Sequence, residues 1–450
     1  MKKALHFILF LSCIGSMTAQ TPSNFWTPQA VGLLPKNHDI LAISVVNKDV
    51  VWAVADSVFQ GTVPTNHLIK VLKTTNGGTT WQLYKAMEVL GRISFDIQAI
   101  DSSVAWITAQ SLNNGFAREL FKTTNGGTTW VSKFVGTEAG VWLRFFDAQN
   151  AIIWNRTAIA RSQDGGNTWT QSSISGFGAS EYTIFISGTN ACTVIGDTIW
   201  GGTSQSRVVR STDKGQTWQF QNLQSIANFG TSVNILSLAF KDARNGIALG
   251  WNQNTYITYL ARTTDGGATW SAMPTYPHTY GANVEYIKGT QGSFILTDYD
   301  GLTTYTTNFG QSWRLIDSLQ SNALRFLDTK TGWVGNTGGS IRLTSANEPA
   351  MYKWNGGNIL SSIKAFEPTE FSLNISPNPT SRYLTVSYSA DFKPTELTLY
   401  DLAGKAVFQK KDPSVFSQVI DLEGLANGIY LLQLKNTEGV VAAQKVVVER

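Results

Sequence analysis

One nonapeptide governs what this chain can become. KTTNGGTTW stands at Lys73 to Trp81 and again, unchanged, at Lys122 to Trp130. Four looser copies follow: RSQDGGNTW (Arg161 to Trp169), RSTDKGQTW (Arg210 to Trp218), RTTDGGATW (Arg262 to Trp270) and YTTNFGQSW (Tyr305 to Trp313). Their tryptophans are 49, 39, 49, 52 and 43 residues apart. Repeats of about 40 to 50 residues have the length of one four-stranded propeller blade, which buries its faces only against neighbouring blades.

A second element lies between the turns: a strand, a short polar turn and another strand. It reads ILAISVVNKDVVWAVAD from Ile40 and ISFDIQAIDSSVAWITAQ from Ile93, with equivalents starting at Val141, Tyr182 (YTIFISGTNACTVIG), Ile235, Val284 and Ala323. That makes seven against six tryptophan turns. The difference resolves at the chain ends. Phe25 to Val31 precedes the first hairpin as the strand after each tryptophan precedes the next, and MYKWNGG (Met351 to Gly357) has no tryptophan after it. The expectation is an all-β, seven-bladed β-propeller over residues 21–357 whose N-terminal strand completes the last blade, removing two open edges.

The turn chemistry explains the recurring letters. Asn76, Asn125, Asp164, Asp213, Asp265 and Asn308 are placed to accept backbone N–H groups, with Ser or Thr two residues earlier tying the same loop. The second glycine is common to all six copies (Gly78, Gly127, Gly166, Gly215, Gly267, Gly310), whereas Lys214 and Phe309 replace the first. Only the second position is therefore expected to need φ > 0. The tryptophans (Trp81, Trp130, Trp169, Trp218, Trp270, Trp313) are expected between blades, where truncation to Ala costs about 3–5 kcal/mol.

The S/T-x-D/N-x-G-x-T/S-W pattern resembles the Asp-box, or BNR repeat, and Phe25 to Gly357 looks like an Asp-box propeller. That group includes sialidases, sortilin-type receptor domains, xyloglucan-cleaving enzymes and photosystem II assembly factors. The resemblance implies that the box is a structural hairpin at the blade periphery, away from the axis.

Composition agrees with strands and tight turns: of 450 residues, 15% are charged, 40 are Gly and 15 are Trp. A net charge of +4 with scattered Lys and Arg gives no basic stripe for nucleic acid. MKKALHFILFLSCIGSMTAQ reads as a signal peptide over residues 1–20, its apolar run too short to span a membrane, so no transmembrane segment is expected in the mature protein. Cys13 offers a lipoprotein site as the alternative, though Phe10-Leu11-Ser12 matches a lipobox poorly. Cleavage leaves Cys192 alone, without a disulfide and read as a buried small side chain.

After a linker, residues 358–371, the pattern changes to the alternating strands of a small β-sandwich, residues 372–450. Ser376-Pro377-Asn378-Pro379, Tyr400 to Lys405 with Gly404, Leu425 to Tyr430 with Gly428, and Lys445 resemble the type A C-terminal sorting domain of type IX secretion in Bacteroidota. The resemblance implies export across both membranes, an encounter with the type IX secretion machinery, and release or surface attachment. The alternative is an accessory sandwich for carbohydrate binding.

Axial candidates are Asp39, Arg92, Arg144, Glu181, Tyr182, Glu285, Tyr286 and Arg325, placed in loops entering the inner strands. A sialidase needs three arginines, a Tyr/Glu nucleophile pair and an Asp acid/base. The residue types are present, but Leu33-Leu34-Pro35 stands where the sialidase R-I-P arginine belongs, and xyloglucan enzymes resemble two tandem propellers. No metal or cofactor is expected: Asp298-Tyr299-Asp300-Gly301 reads as a turn and His38, His67 and His278 lack ligand spacing. Trp200, Trp251, Tyr256, Tyr259, Tyr276 and Tyr280 offer stacking faces in longer connections, against a preferred reading as strand packing. The resulting expectation is a secreted or surface-displayed, non-enzymatic module for a glycan or protein. A glycoside hydrolase, sialidase-like with a degenerate axial site, is the rival.

Overall fold

The structure is a computed structural model. It describes residues 25–355 and 374–450, apart from 36–37, 58–67, 86–91, 112–116, 137–141, 185–189, 227–228, 253, 256, 274–280, 299–301, 318, 320, 337–347, 388–393, 402–404, 414–416 and 437–440. The leader and linker readings, and those on His67, Tyr256, Tyr276, His278, Tyr280 and Gly404, lie outside these residues. The described elements are all strands. Two compact units divide the chain, Met1–Ile363 and Lys364–Arg450.

Among its described residues the first unit has seven four-stranded antiparallel sheets, arranged as blades of a β-propeller. Their first strands are His38–Val45, Arg92–Ala99, Trp142–Phe145, Cys192–Ile195, Val233–Phe240, Gly281–Tyr286 and Ser321–Phe326, in blades one to seven. Apart from the third and fourth, each of these strands packs against its neighbour's in the next blade, and the seventh returns onto the first. Between blades three and four the link is Trp142, whose Nε1 donates to the Ile184 carbonyl at 3.1 Å.

Blade seven takes Ser321–Phe326, Gly332–Asn336 and Pro349–Trp354 from late in the chain and Trp26–Val31 from its start. Trp26 pairs with Trp354 and Val31 with Pro349. The Trp26 ring is 97% buried, set edgewise on Trp354 at 5.0 Å and on Phe326 at 6.3 Å. Apolar burial of this size, together with the antiparallel pairing of the two strands, holds the first and last strands of the propeller in one sheet.

Blade four departs from the sequence reading. Its first strand is Cys192–Ile195, not one that starts at Tyr182, and it pairs with Thr198–Gly202. A turn at Gly196 and Asp197 joins them, with Gly196 at φ +56°. Thr183 makes only an isolated bridge to Thr203. Trp200 therefore stands on a second strand, as Trp52, Trp106 and Trp154 do, and is fully buried. Trp251 is 6% exposed and Tyr259 half-buried, so neither tryptophan offers a free stacking face.

The second unit packs a three-stranded sheet against a four-stranded one. Leu384, Val386 and Ile420 from one face Leu397, Leu399, Leu432, Leu434 and Val446 from the other in a single core. Alternation along each strand puts these side chains inward and leaves Tyr383, Val419, Ile429 and Leu431 on the surface.

Candidate functional site

The six repeated turns are built identically. Thr74 Oγ1 accepts the Gly78 N–H at 2.9 Å and donates to Asn76 Oδ1 at 3.0 Å, which in turn accepts the Thr80 N–H at 2.9 Å. Thr123 with Asn125, Ser162 with Asp164, Ser211 with Asp213, Thr263 with Asp265 and Thr306 with Asn308 repeat the arrangement. Around Asp164, the Thr168 hydroxyl and amide, then the Ser162 hydroxyl, hold the carboxyl down at about 2.

Both glycine positions have φ > 0, which corrects the sequence reading. The first lies at +65°, +73°, +69°, +58° (Lys214), +77° and +56° (Phe309), and the second at +77° to +94°. The first position is left-handed helical and strained, yet it carries the side chains of Lys214 and Phe309 in two copies. The second also lacks room: a Cβ on Gly166 would stand 2.7 Å from Trp106 Cζ2, and one on Gly215 2.8 Å from Ile152 Cδ1. Those neighbours belong to the preceding blade. Lys73 strengthens the same joint, lying 4.7 Å over Trp52 and donating to the Gly126 carbonyl of the next blade at 3.2 Å. Trp130 and Trp218 close ring contacts with Trp52 and Trp154 across the seams. The Ser or Thr hydroxyl and the Asx side chain of all six turns are thus spent on the turn itself.

The sequence-derived axial candidates separate into three groups. Arg92 is bound within its own blade by Glu119, Nη2 to Oε1 at 2.9 Å. Glu181 is buried and accepts from Thr203 Oγ1 at 2.6 Å, Arg207 Nε at 2.9 Å and Gly178 N at 2.8 Å. Burial opposes its ionisation, but these donors outweigh it and lower its pKa. Tyr182 lies beneath the Arg156 guanidinium at 4.3 Å. Asp39 is buried at the start of blade one, and Tyr286 donates to the Thr290 carbonyl at 2.6 Å.

Only Arg144, Glu285 and Arg325 meet at the axis, in a cavity of about 160 Å³. Sequence reasoning missed their partners: Asp96, Gln98, Ser44 and Lys288 share the cavity wall, and Asn190 bridges Arg325 and Glu285. Most of these residues lie toward the ends of the first strands, where each runs into its turn, and not at the starts favoured by the sequence reading. Arg144 ion-pairs with Asp96, and Arg325 Nη1 stands 3.7 Å from Glu285. Asp96 Oδ2 also accepts the Leu143 N–H at 3.2 Å, so the pair stitches blade two to blade three.

Burial raises the Glu285 pKa, against the opposing pull of Arg325 and Lys288. Cys192, buried beside this cluster, has its thiol pushed up to about 11, first by burial, with Arg144 opposing. At neutral pH it is a thiol and not a nucleophile. Among the described residues no group of three or more His, Cys, Asp or Glu side chains is arranged to hold a metal ion.

In the second unit the sorting-motif residues gather at one end of the sandwich. Asn378, between Pro377 and Pro379, accepts the Val447 N–H at 2.7 Å, and Thr380 donates its N–H to the Val447 carbonyl at 2.9 Å. Gly428 pairs with Val448, Asn427 Oδ1 accepts the Arg450 N–H at 3.1 Å, and Tyr430 donates its hydroxyl to the Ala426 carbonyl at 2.9 Å. Arg450 reaches the carbonyls of Ser381 and Leu422. Segments separated by some 70 residues in sequence thus form one surface.

A xyloglucanase from a Paenibacillus species is 28% identical over 198 residues, 39% of this chain and 19% of that enzyme. The chain therefore spans about a fifth of the length of this relative. YCF48 bound to D1 peptide has a similar fold, with a TM-score of 0.51 at 15% identity, covering 75% of this chain and 98% of that one. YCF48 from Cyanidioschyzon merolae gives 0.51 at 13% identity, covering 74% and 98%. Among the described residues no helix is long and apolar enough to cross a membrane. Residues 374–449 match the Secretion system C-terminal sorting domain, and the chain is thereby marked for type IX export to the cell surface or the medium.

Proposed function

We propose that this chain is an Asp-box propeller of the Bacteroidota, led to the periplasm by residues 1–20 and exported by its sorting domain, that binds a glycan or a protein without transforming it. The observation that carries this reading is the mutual occupation of the axial charges. A glycosidase holds two carboxylates roughly 5–9.5 Å apart across a sugar-sized cleft, one of them free to move a proton. Here Asp96 faces Arg144 and the Leu143 N–H, while Glu285 faces Asn190 and Arg325. The cavity of about 160 Å³ is also smaller than the roughly 300–1,000 Å³ of pockets that enclose a whole small-molecule ligand.

The stretch shared with a xyloglucanase favours one rival, a glycoside hydrolase. A glycan array beside fluorogenic glycoside and sialoside assays separates the two readings. Saturable binding without turnover is the expected result. Turnover lost on Glu285→Gln or Glu181→Gln would replace binding with catalysis.

A further inference from the structure

We propose that Met273 is an oxidation site, and that the seam between blades five and six is built to hold its sulfoxide. This site does not depend on what the propeller binds. Of the five methionines in the sequence, two lie among the described residues. Met351 is fully buried, whereas Met273 is half-buried, just after the outer strand Ser271–Ala272 of blade five. Export to the cell surface or the medium takes this thioether out of the reducing cytoplasm.

Three seams share one register position. Gln29 pairs with Met351 in blade seven, Gln221 with Val208 in blade four, and the Met273 N–H donates to the Leu260 carbonyl at 2.9 Å in blade five. Met351, Val208 and Leu260 each stand two residues before a cation at the strand end: Lys353, Arg210 and Arg262. Gln29, Gln221 and Met273 all reach over the second glycine of the next blade's turn. A Cβ on Gly78 would fall on Gln29 Oε1, with Gln29 Cδ at 3.2 Å, and one on Gly267 would meet Gln221 Oε1 at 3.2 Å. One on Gly310 would fall on Met273 Cε, with the sulfur at 3.4 Å. The sulfur therefore stands where Gln29 carries its amide carbon, and the methyl where Gln29 carries its oxygen. That oxygen accepts the Trp81 Nε1–H at 3.1 Å. Oxidation gives the sulfur the branching of an amide carbon, and a turn about the Cγ–Sδ bond exchanges oxygen and methyl. Hydrogen peroxide balances the step: one oxygen passes to the sulfur lone pair as the O–O bond breaks, a proton moves to the departing oxygen, and water leaves. The sulfur is oxidised by two electrons and the peroxide reduced. In a purely apolar site the new oxygen would lose its hydration without return. Here it enters a position where two other seams of the same ring already hold a carboxamide.

The test exposes the purified protein to hydrogen peroxide and follows each methionine by peptide mapping. Met273 should be converted about tenfold faster than Met351. Circular dichroism should show the oxidised protein folded, with the melting temperature of Met273→Gln, and methionine sulfoxide reductase should restore the untreated value. Met273→Leu keeps an apolar side chain without the sulfur and should melt at the same temperature before and after peroxide. Conversion of Met273 no faster than that of Met351, collapse of the oxidised protein or of Met273→Gln, or a peroxide-induced loss of stability that persists in Met273→Leu would overturn the proposal.

Discussion

The Lys353 ammonium donates to the Gly77 carbonyl across 2.7 Å, joining two residues 276 positions apart and closing the ring at the seam between blades seven and one. Lys353 also lies 5.6 Å over the Trp333 ring, the arrangement Lys73 makes over Trp52 one blade on. Lys353→Ala removes a charge-assisted hydrogen bond and a half-buried cation–π contact, together about 1–3 kcal/mol. Urea unfolding of this variant should show a lower midpoint. Deleting residues 25–31 exposes the edge of Pro349–Trp354 and should cause aggregation, read by light scattering; a monomer with unchanged melting would dismiss the closure.

The two glycines of one turn should answer differently to the same methyl group. At Gly165 a Cβ meets the Ala148 carbonyl at 3.1 Å, and Lys214 and Phe309 show that the position tolerates side chains. At Gly166 the methyl meets Trp106 at 2.7 Å in a backbone already at φ +83°. Gly165→Ala should cost about 1 kcal/mol from the left-handed backbone. Gly166→Ala should add an overpacking penalty of about 1–3 kcal/mol. Equal losses in chemical denaturation would contradict this account.

The repeat was legible because its whole logic closes within nine residues: a hydroxyl, an Asx side chain and two left-handed positions bond to one another before any tertiary contact is needed. The axial network was not. Asp96, Arg144, Asn190, Glu285 and Arg325 come from five blades, and bulges in five first strands, such as those at Ser94/Asp96 and Gly281/Asn283, break the alternation by which a facing residue is read. Trp200 was misplaced for a related reason. The turn before it has only Gly196 and Asp197 between the strands, so no polar run marked the boundary.

Acid should weaken the turns unequally. The carboxyls of Asp164, Asp213 and Asp265 are held at about 2 by Thr and Ser hydroxyls and backbone amides, against burial at the latter two. A depressed folded-state pKa gives stability that is present above the unfolded value near 4 and lost as pH falls toward 2. Glu285 has the opposite sign: its raised pKa makes the native state hold its proton longer, so its contribution falls as pH rises from the unfolded value through the folded one. Replacing the three aspartates by Asn, as at Asn76, should flatten the acid limb of a melting-temperature profile. Glu285→Gln should flatten the limb above it, provided the Asn190 contact is kept.

Asn378 carries the last prediction. Its side-chain oxygen accepts the Val447 N–H, and Thr380 pairs with the same residue's carbonyl, so the loop between the prolines is tied to the final strand. Asn378→Ala deletes one partly exposed bond, worth about 1 kcal/mol, without touching the core of Leu384, Leu397 and Leu432. The sandwich should therefore stay folded while the surface shared by Asn378, Asn427 and Arg450 loosens. If that surface is what the export machinery reads, surface display, measured by protease accessibility on intact cells, should fall more than the stability of the purified protein. A loss of display that only follows a loss of folding would assign these residues to the scaffold instead.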